Sequence, residues 1–198
     1  MNLVSNKQVF FILSTARCRS SWFGNLFTYK DSFCYNEESR YITNWDELVD
    51  RIEKRPEKYV GFEDPELLHY IETLYSLFPN ATYVLLERDM YQSQISLERV
   101  SGMRGSLIAK KFERWYSDIE KFKEIVPEYA TINFNDMDNM EEVKRIWEYI
   151  LPDVLFDIDR WNMLTALQIH VTLANKPYGI RENCMAPYFD FNKLNRIR

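Results

Sequence analysis

Short apolar runs alternate with amphipathic stretches along this chain. Residues 9–13 form a continuous apolar run between polar residues, which is typical of a strand covered on both faces of a parallel sheet. Residues 59–62, 83–86 and 129–134 are three further short runs rich in β-branched and aromatic residues, and each is followed by polar or Asp/Pro positions. We therefore predict four strands.

The intervening segments show helical spacing and helix-start signals. Asn44 and Glu47 form a capping-box pair, and Asp64 followed by Pro65 is an N-cap with a first-turn proline. Helices are predicted after Ser20, after Asn44, after Asp64, and over residues 106–126, 140–150 and 159–171. Strands that alternate with helices predict an α/β fold, a three-layer parallel sheet with helices on both faces. No repeat or linker divides residues 1–198, so we expect a single domain with a less regular segment from about residue 172.

Composition limits the classes of partner. The chain has 198 residues, of which 46 % are hydrophobic and 28 % charged, with a formal net charge of −5. This balance excludes a disordered chain and argues against nucleic acid held by the overall field of the protein, whereas a small anion in a local basic pocket stays possible. The apolar runs are far shorter than the ~20 residues that cross a bilayer, and the first residues lack a basic signal. We expect a cytoplasmic protein without a membrane partner.

Cysteine and histidine positions give no metal signal. The three cysteines, Cys18, Cys34 and Cys184, have no CxxC spacing, and His69 and His170 lie far apart. The sequence therefore predicts neither a zinc site nor a disulfide framework, and no metal cofactor.

Candidate chemistry is concentrated in the first turn between strand and helix. Residues 14–22 read STARCRSSW, so Arg17, Arg19 and several hydroxyl groups follow a buried strand directly. Ligands of open parallel sheets bind beyond the carboxyl ends of the strands, and arginine with free backbone N–H groups suits phosphate or sulfate oxygens. The alternative is an ordinary turn with Ser20 as a cap and two solvated arginines.

This turn resembles the 5′-phosphosulfate loop of the sulfotransferases that use 3′-phosphoadenosine 5′-phosphosulfate (PAPS). The family motif [KR]-S-G-[ST]-T-W stands here as Arg17-Cys18-Arg19-Ser20-Ser21-Trp22, in which Cys18 and Arg19 depart from the pattern. The P-loop signature GxxxxGK[ST] of nucleoside triphosphatases is absent, because residues 14–23 contain no glycine. The resemblance implies a P-loop-type, sulfotransferase-like sheet and a nucleotide cofactor.

A second motif follows the predicted strand at residues 83–86. The family has an arginine at this strand end and a serine eight residues later, which together hold the 3′-phosphate, and Arg88 and Ser96 reproduce that spacing. Ser93 falls on the same helical face as Ser96. The alternative is a surface ion pair between Arg88 and Asp89.

Weaker likenesses extend the resemblance over residues 9–160. FPNAT at 78–82 is similar to the approach to the second motif, and NFNDM at 133–137 is similar to a later loop. The C-terminal R-K-G motif is not recognisable, although Lys176 and Arg181 occupy the corresponding stretch.

The resemblance implies transfer of a sulfonate group from PAPS to an unidentified small-molecule or glycan acceptor. Arg17 would be catalytic by stabilising charge, and Glu37 is the candidate general base, with Glu63, Asp64 and His69 as rivals. The candidate cofactor-binding residues are Arg17, Cys18, Arg19, Ser20, Ser21, Trp22, Arg88 and Ser96. Trp22 either faces the adenine or belongs to the core. The other functions that we consider are a small-molecule kinase and a non-catalytic relative that binds an anion or a partner.

Overall fold

Five parallel strands form the centre of the molecule in the computed structural model, which describes residues 6–101 and 105–166. The strands are β1 (Gln8–Ser14), β2 (Ser32–Asn36), β3 (Tyr59–Glu63), β4 (Thr82–Glu87) and β5 (Ala130–Asn133). They lie in the order β2-β3-β1-β4-β5, so β1 is central and its carboxyl end lies between those of β3 and β4. Every pair is parallel, as continuous apolar runs predict.

Seven α-helices occur in the described ranges. They are α1 (Ser20–Leu26), α2 (Trp45–Glu53), α3 (Ile71–Leu77), α4 (Met90–Ser101), α5 (Gly105–Ile125), α6 (Met140–Ile150) and α7 (Ile158–Ala166). Short 3₁₀ segments span Glu38–Arg40, Pro65–Tyr70 and Phe134–Asp136. No helix of these ranges combines the length and the apolar character needed to span a bilayer.

Alternate residues of the strands face two separate apolar clusters. On one face Phe11, Leu13 and Leu85 pack with residues of α2, α3 and α5. On the other face Phe10 and Ile12 pack with residues of α1, α6 and α7. Each face buries a helix layer, which confirms the predicted three-layer α/β fold.

The Cα of Gly61 on β3 lies against the ring of Phe10 on the neighbouring strand. A Cβ at this position would lie 2.0 Å from a ring carbon of Phe10, so no larger residue fits. The glycine lets the aromatic core reach the sheet at the centre of β3.

Two elements differ from the sequence prediction. The strand β2 was not predicted, because its apolar and polar residues alternate over only five positions at the sheet edge. The helix predicted after Asp64 is divided into a 3₁₀ segment and α3. The 3₁₀ segment begins with a hydrogen bond from the N–H of Leu67 to the Asp64 carbonyl, at 3.3 Å. The predicted helix 159–171 is described only to Ala166, and its remainder lies outside the described residues, as do Cys184, Lys176 and Arg181.

The last described helix is tied to the first by a buried arginine. Arg160 of α7 donates from Nε to the carbonyl of Leu26 at 3.0 Å and from Nη2 to the carbonyls of Thr28, at 2.5 Å, and of Asn25. The arginine thereby satisfies carbonyl groups at the carboxyl end of α1, where a cation is favoured. The helix that begins in the candidate loop is thus held at its far end.

Candidate active site

The loop between β1 and α1 has a left-handed backbone at two arginines. Arg17 has φ 71°, and Arg19, the N-cap of α1, has φ 58° and ψ 25°. The carbonyl of Arg19 accepts the N–H groups of Trp22 at 3.0 Å and Phe23 at 3.2 Å, so the helix starts at this residue. Glycine adopts this conformation without a Cβ penalty. Arg19 therefore occupies, at a cost, a conformation that glycine would adopt freely.

The backbone N–H groups of the loop are a second set of donors. Within the described part of the chain, the N–H groups of residues 17–21 donate to no protein oxygen. Unpaired N–H groups that follow one another in a left-handed turn form a concave site for an anion. The loop thus supplies donors in addition to its arginine side chains.

The two sequence motifs meet in one site. Arg17 Nε donates to Ser96 Oγ at 3.1 Å, and Arg88 Nη1 donates to the carbonyl of Arg17 at 2.6 Å. The parallel register explains this contact, since Ser14 pairs with Leu86 and places the ends of β1 and β4 side by side. Tyr116 of α5 holds the backbone here by donating to the Arg88 carbonyl at 2.6 Å.

Three positively charged arginine side chains, those of Arg17, Arg19 and Arg88, lie close together at this site. Burial lowers the pKa of Arg17, the charge of Arg88 lowers it further, and the charge of Glu37 opposes both. Burial likewise lowers the pKa of Arg88, and the charge of Arg19 adds to that effect. Guanidinium groups stay protonated in proteins, so the crowding leaves a concentrated positive charge. An anion between them would relieve the repulsion.

Asp138 was not predicted as part of this region. Arg19 Nη1 pairs with Asp138 Oδ1 at 2.5 Å, which joins the loop to the connection between β5 and α6. The sequence holds no signal for this pair, because the residues are 119 positions apart.

Three predicted cofactor-binding residues have buried side chains. Burial raises the pKa of the Cys18 thiol to about 11, and Cys18 Sγ contacts Thr15 Oγ1 at 3.3 Å, so the thiol stays neutral. Ser20 is 9 % exposed. Trp22 is 5 % exposed and packs edge-on against Phe23, which favours the core alternative for its ring. Cys18 and Ser20 can therefore serve a ligand mainly through their backbone N–H groups.

Glu37 lies just past the end of β2, on the carboxyl side of the sheet. Its N–H donates to the Glu63 carbonyl at 2.8 Å, its φ is 50°, and its side chain is half-buried. The charge of Glu37 raises the pKa of Arg17, against the larger effect of burial, so the two predicted catalytic residues interact electrostatically. The structure thus brings Glu37 to the edge of the site with a side chain that is not enclosed.

The rival bases are placed differently. Glu63 is fully buried beneath α1, where its Cβ lies 3.6 Å from the position of a Cβ on Gly24. Burial raises the pKa of Asp64, whose carboxylate accepts the N–H groups of Ser39 at 2.7 Å and Glu66 at 3.0 Å. The bond from Glu66 is that of an N-cap, and the bond from Ser39 ties Asp64 to the segment after β2. Neither carboxylate is free to meet an acceptor.

His69 belongs to a contact between helices. Its Nδ1 lies 2.5 Å from Asp118 Oδ2 on α5, its Nε2 lies 3.4 Å from Glu66 Oε2, and its ring stacks on Trp115. Its side chain is 4 % exposed. The surroundings of His69 are therefore structural.

No metal site is evident in the described ranges. Among residues 6–101 and 105–166, no three His, Cys, Asp or Glu side chains converge as a metal-binding group. Cys18 and Cys34 are both buried.

Comparison with solved structures shows a likeness of the fold. A sulfotransferase from Alicyclobacillus acidocaldarius superposes with a TM-score of 0.58 at 15 % identity, covering 89 % of this chain and 98 % of the other. The chain has the sulfotransferase fold. The sulfotransferase domain from the curacin biosynthetic pathway also has a TM-score of 0.58, at 13 % identity, covering 78 % and 76 %. Mouse sulfotransferase SULT7A1 complexed with PAP has the same TM-score at 11 % identity, covering 89 % and 71 %. Neither family models nor curated protein sequences match this chain.

Proposed function

We propose that this chain transfers a sulfonate group from PAPS to a small-molecule or glycan acceptor. The observation that carries the proposal is that Arg17, Arg88 and Ser96 lie together in one positively charged site. The likeness of the fold to sulfotransferases, one of which is complexed with PAP, supports it.

The donor groups of the site fit a nucleotide with two anionic ends. The loop offers unpaired N–H groups and Arg17 for the 5′-phosphosulfate, and Arg88 at the end of β4 with Ser96 on α4 would hold the 3′-phosphate. Arginine is suited to both because its planar N–H groups match phosphate and sulfate oxygens. PAPS supplies, when bound, an activated sulfonate on a phosphate leaving group.

Arg17 is proposed to stabilise the negative charge that develops on the departing phosphate. It remains protonated, so it acts through charge and hydrogen bonds and not as an acid. Ser96 orients the Arg17 guanidinium through its bond to Nε. As in phosphoryl transfer, the main contributions of the protein are positioning and charge stabilisation.

Glu37 is proposed as the general base that takes the proton of an acceptor hydroxyl. It is the candidate carboxylate whose half-buried side chain interacts electrostatically with Arg17, whereas Glu63 is enclosed and Asp64 caps a helical segment. A positioned carboxylate accelerates such a step by about 10²- to 10⁴-fold.

A thermal-shift experiment tests the nucleotide. Adenosine 3′,5′-bisphosphate (PAP) and ATP are compared, each with and without magnesium. PAP at 100 times its dissociation constant should stabilise the chain by about 2.7 kcal/mol, independently of magnesium. Stabilisation that occurs only with ATP and magnesium together, and not with PAP, would favour the kinase alternative. Binding of PAP without any PAP release from PAPS across a panel of alcohol and glycan acceptors would favour the non-catalytic alternative.

A further inference from the structure

Phe134 lies beside Arg88 because of the register between β4 and β5. Glu87 on β4 pairs with Asn133 on β5 in the parallel sheet. Arg88 and Phe134 are the next residues of the two strands, so they leave the sheet as neighbours. Asn133 fixes the turn that follows, because its side-chain oxygen accepts the N–H of Asn135 at 3.2 Å.

Two guanidinium groups contact the same aromatic ring. Arg88 Cζ lies 3.7 Å from the centroid of the Phe134 ring, and Arg19 Cζ lies 4.8 Å from it. Both distances fall within the ~6 Å over which the negative face of an aromatic ring attracts a cation. The ring therefore stands between the nucleotide loop and the second motif as a shared support.

This support opposes a repulsion between like charges. Arg19 is close enough to Arg88 to affect its ionisation, so the two groups repel. Asp138 holds Arg19 through a bond of 2.5 Å, and Arg88 donates to the Arg17 carbonyl at 2.6 Å. Phe134 is the one side chain among the described residues that contacts both guanidinium groups in a cation–π geometry.

Packing alone does not account for this residue. Phe134 is partly buried and also contacts the apolar cluster on the α1, α6 and α7 face of the sheet. A leucine would fill much of that space, but it has no face for a guanidinium. A packing role and a role in holding the guanidinium groups therefore predict different responses to Phe134→Leu and Phe134→Tyr.

We propose that Phe134 is a positioning residue that holds the guanidinium groups of Arg88 and Arg19 for the 3′-phosphate of the nucleotide. The identity of the ligand rests on the proposed function, whereas the contact between the ring and Arg88 does not.

The nucleotide test compares PAP with adenosine 5′-monophosphate, which lacks the 3′-phosphate, by isothermal titration. Phe134→Leu should weaken PAP binding by about three- to tenfold, the range of a cation–π contact, and change monophosphate binding less than about twofold. Phe134→Tyr should restore PAP binding. In an Arg88→Ala background, Phe134→Leu should cause a smaller further loss of PAP affinity than in the parent, because Arg19 is then the one guanidinium left for the ring to position. An equal loss for both nucleotides, or a full additional loss in that background, would overturn the proposal.

A nucleotide-free measurement separates this proposal from the proposed function. The Nε–H resonance of Arg88, assigned with Arg88→Lys, should carry a ring-current shift that disappears in Phe134→Leu and persists in Phe134→Tyr. An unchanged resonance in Phe134→Leu would overturn the positioning role even where PAP binds. Failure of the parent chain to bind PAP would reject the proposed function and the 3′-phosphate role of Phe134, and the resonance would then decide the ring contact by itself.

Discussion

Arg17 Nε donates to Ser96 Oγ at 3.1 Å across 79 positions of sequence. This bond joins the loop after β1 to the helix after β4, which are the two segments that the sequence resemblance selects separately. The Arg88 bond to the Arg17 carbonyl is a second link between them. A ligand that orders one segment should therefore order the other.

Arg17→Ala is expected to reduce turnover more than binding. The guanidinium stabilises charge that is largest in the transition state, so the rate of sulfonate transfer should fall by about 10²- to 10³-fold. Arg17→Lys should recover part of the rate, since it restores the charge but not the bond to Ser96. Single-turnover kinetics with PAPS measures the step, and Arg114→Ala, an exposed arginine on α5, is the matched control. An Arg17→Ala variant at the parent rate would refute the catalytic role of this loop.

Arg88→Ala is expected to weaken the binding of nucleotides that carry a 3′-phosphate and to leave the binding of those without it nearly unchanged. Loss of a charged hydrogen bond should weaken PAP binding by about 1.5–3 kcal/mol and leave adenosine 5′-phosphosulfate, which lacks that phosphate, nearly unchanged. Titration calorimetry with both nucleotides measures the difference. Equal losses for the two would show that Arg88 supports the loop through the Arg17 carbonyl and does not read the 3′-phosphate.

Arg19→Gly is expected to relieve backbone strain. The left-handed conformation costs a residue with a Cβ about 1–2 kcal/mol, and glycine avoids this cost. Glycine also has more conformational freedom in the unfolded chain, which offsets part of the gain in stability. The pair with Asp138 and the contact with the Phe134 ring oppose the gain, so the comparison is made with Asp138→Asn and Phe134→Leu in both chains. In that background Arg19→Gly should raise the free energy of unfolding in urea by about 0.5–1 kcal/mol. A free energy of unfolding below that of the background chain would mean that the Arg19 side chain stabilises the fold by more than its left-handed backbone costs.

Glu66 should contribute stability that is lost in acid. The bond to His69 and the pairing with Lys111 lower the pKa of Glu66 from 4.5 to about 2, against the effect of its burial. A lowered pKa in the folded state stabilises the fold fully above the unfolded value, and this contribution falls as the pH drops from about 4.5 towards 2. The urea stability of Glu66→Gln should therefore fall less than that of the parent between pH 6 and pH 3. Glu72→Gln, exposed on the neighbouring turn, should behave like the parent.

The sheet was predictable where burial on both faces makes an apolar run continuous. Residues 9–13 and 83–86 gave such runs, and both are central strands in the structure. The strand β2 lies at the sheet edge, and its half-buried Phe33 and Tyr35 alternate with buried polar and small residues. Five alternating positions do not differ enough from a loop to be recognised in a single sequence.

The candidate site was predictable where the chemistry is local. Arg17 and Arg88 stand directly after predicted strands, and the parallel sheet brings strand ends together. Asp138 and the ring of Phe134 reach the arginines only through the register of β4 and β5. Short strands carry no local signal of that register, so these contacts required the structure.

Glu37→Gln is expected to separate base catalysis from nucleotide binding. The substitution keeps the shape of the side chain and removes its ability to take a proton, so PAP affinity should stay within about twofold of the parent, since less than ~0.4 kcal/mol changes. Turnover with an alcohol acceptor should fall by about 10²- to 10⁴-fold, and by much less with an acidic phenol that is already largely ionised. The measurement is the ratio of the two rates in Glu37→Gln against the parent, with Glu53→Gln at the exposed end of α2 as control. A ratio equal to that of the parent would show that Glu37 is a loop charge. Glu63 is enclosed and Asp64 and His69 are committed to bonds with other elements, so none of these three described residues is placed to take over the proton.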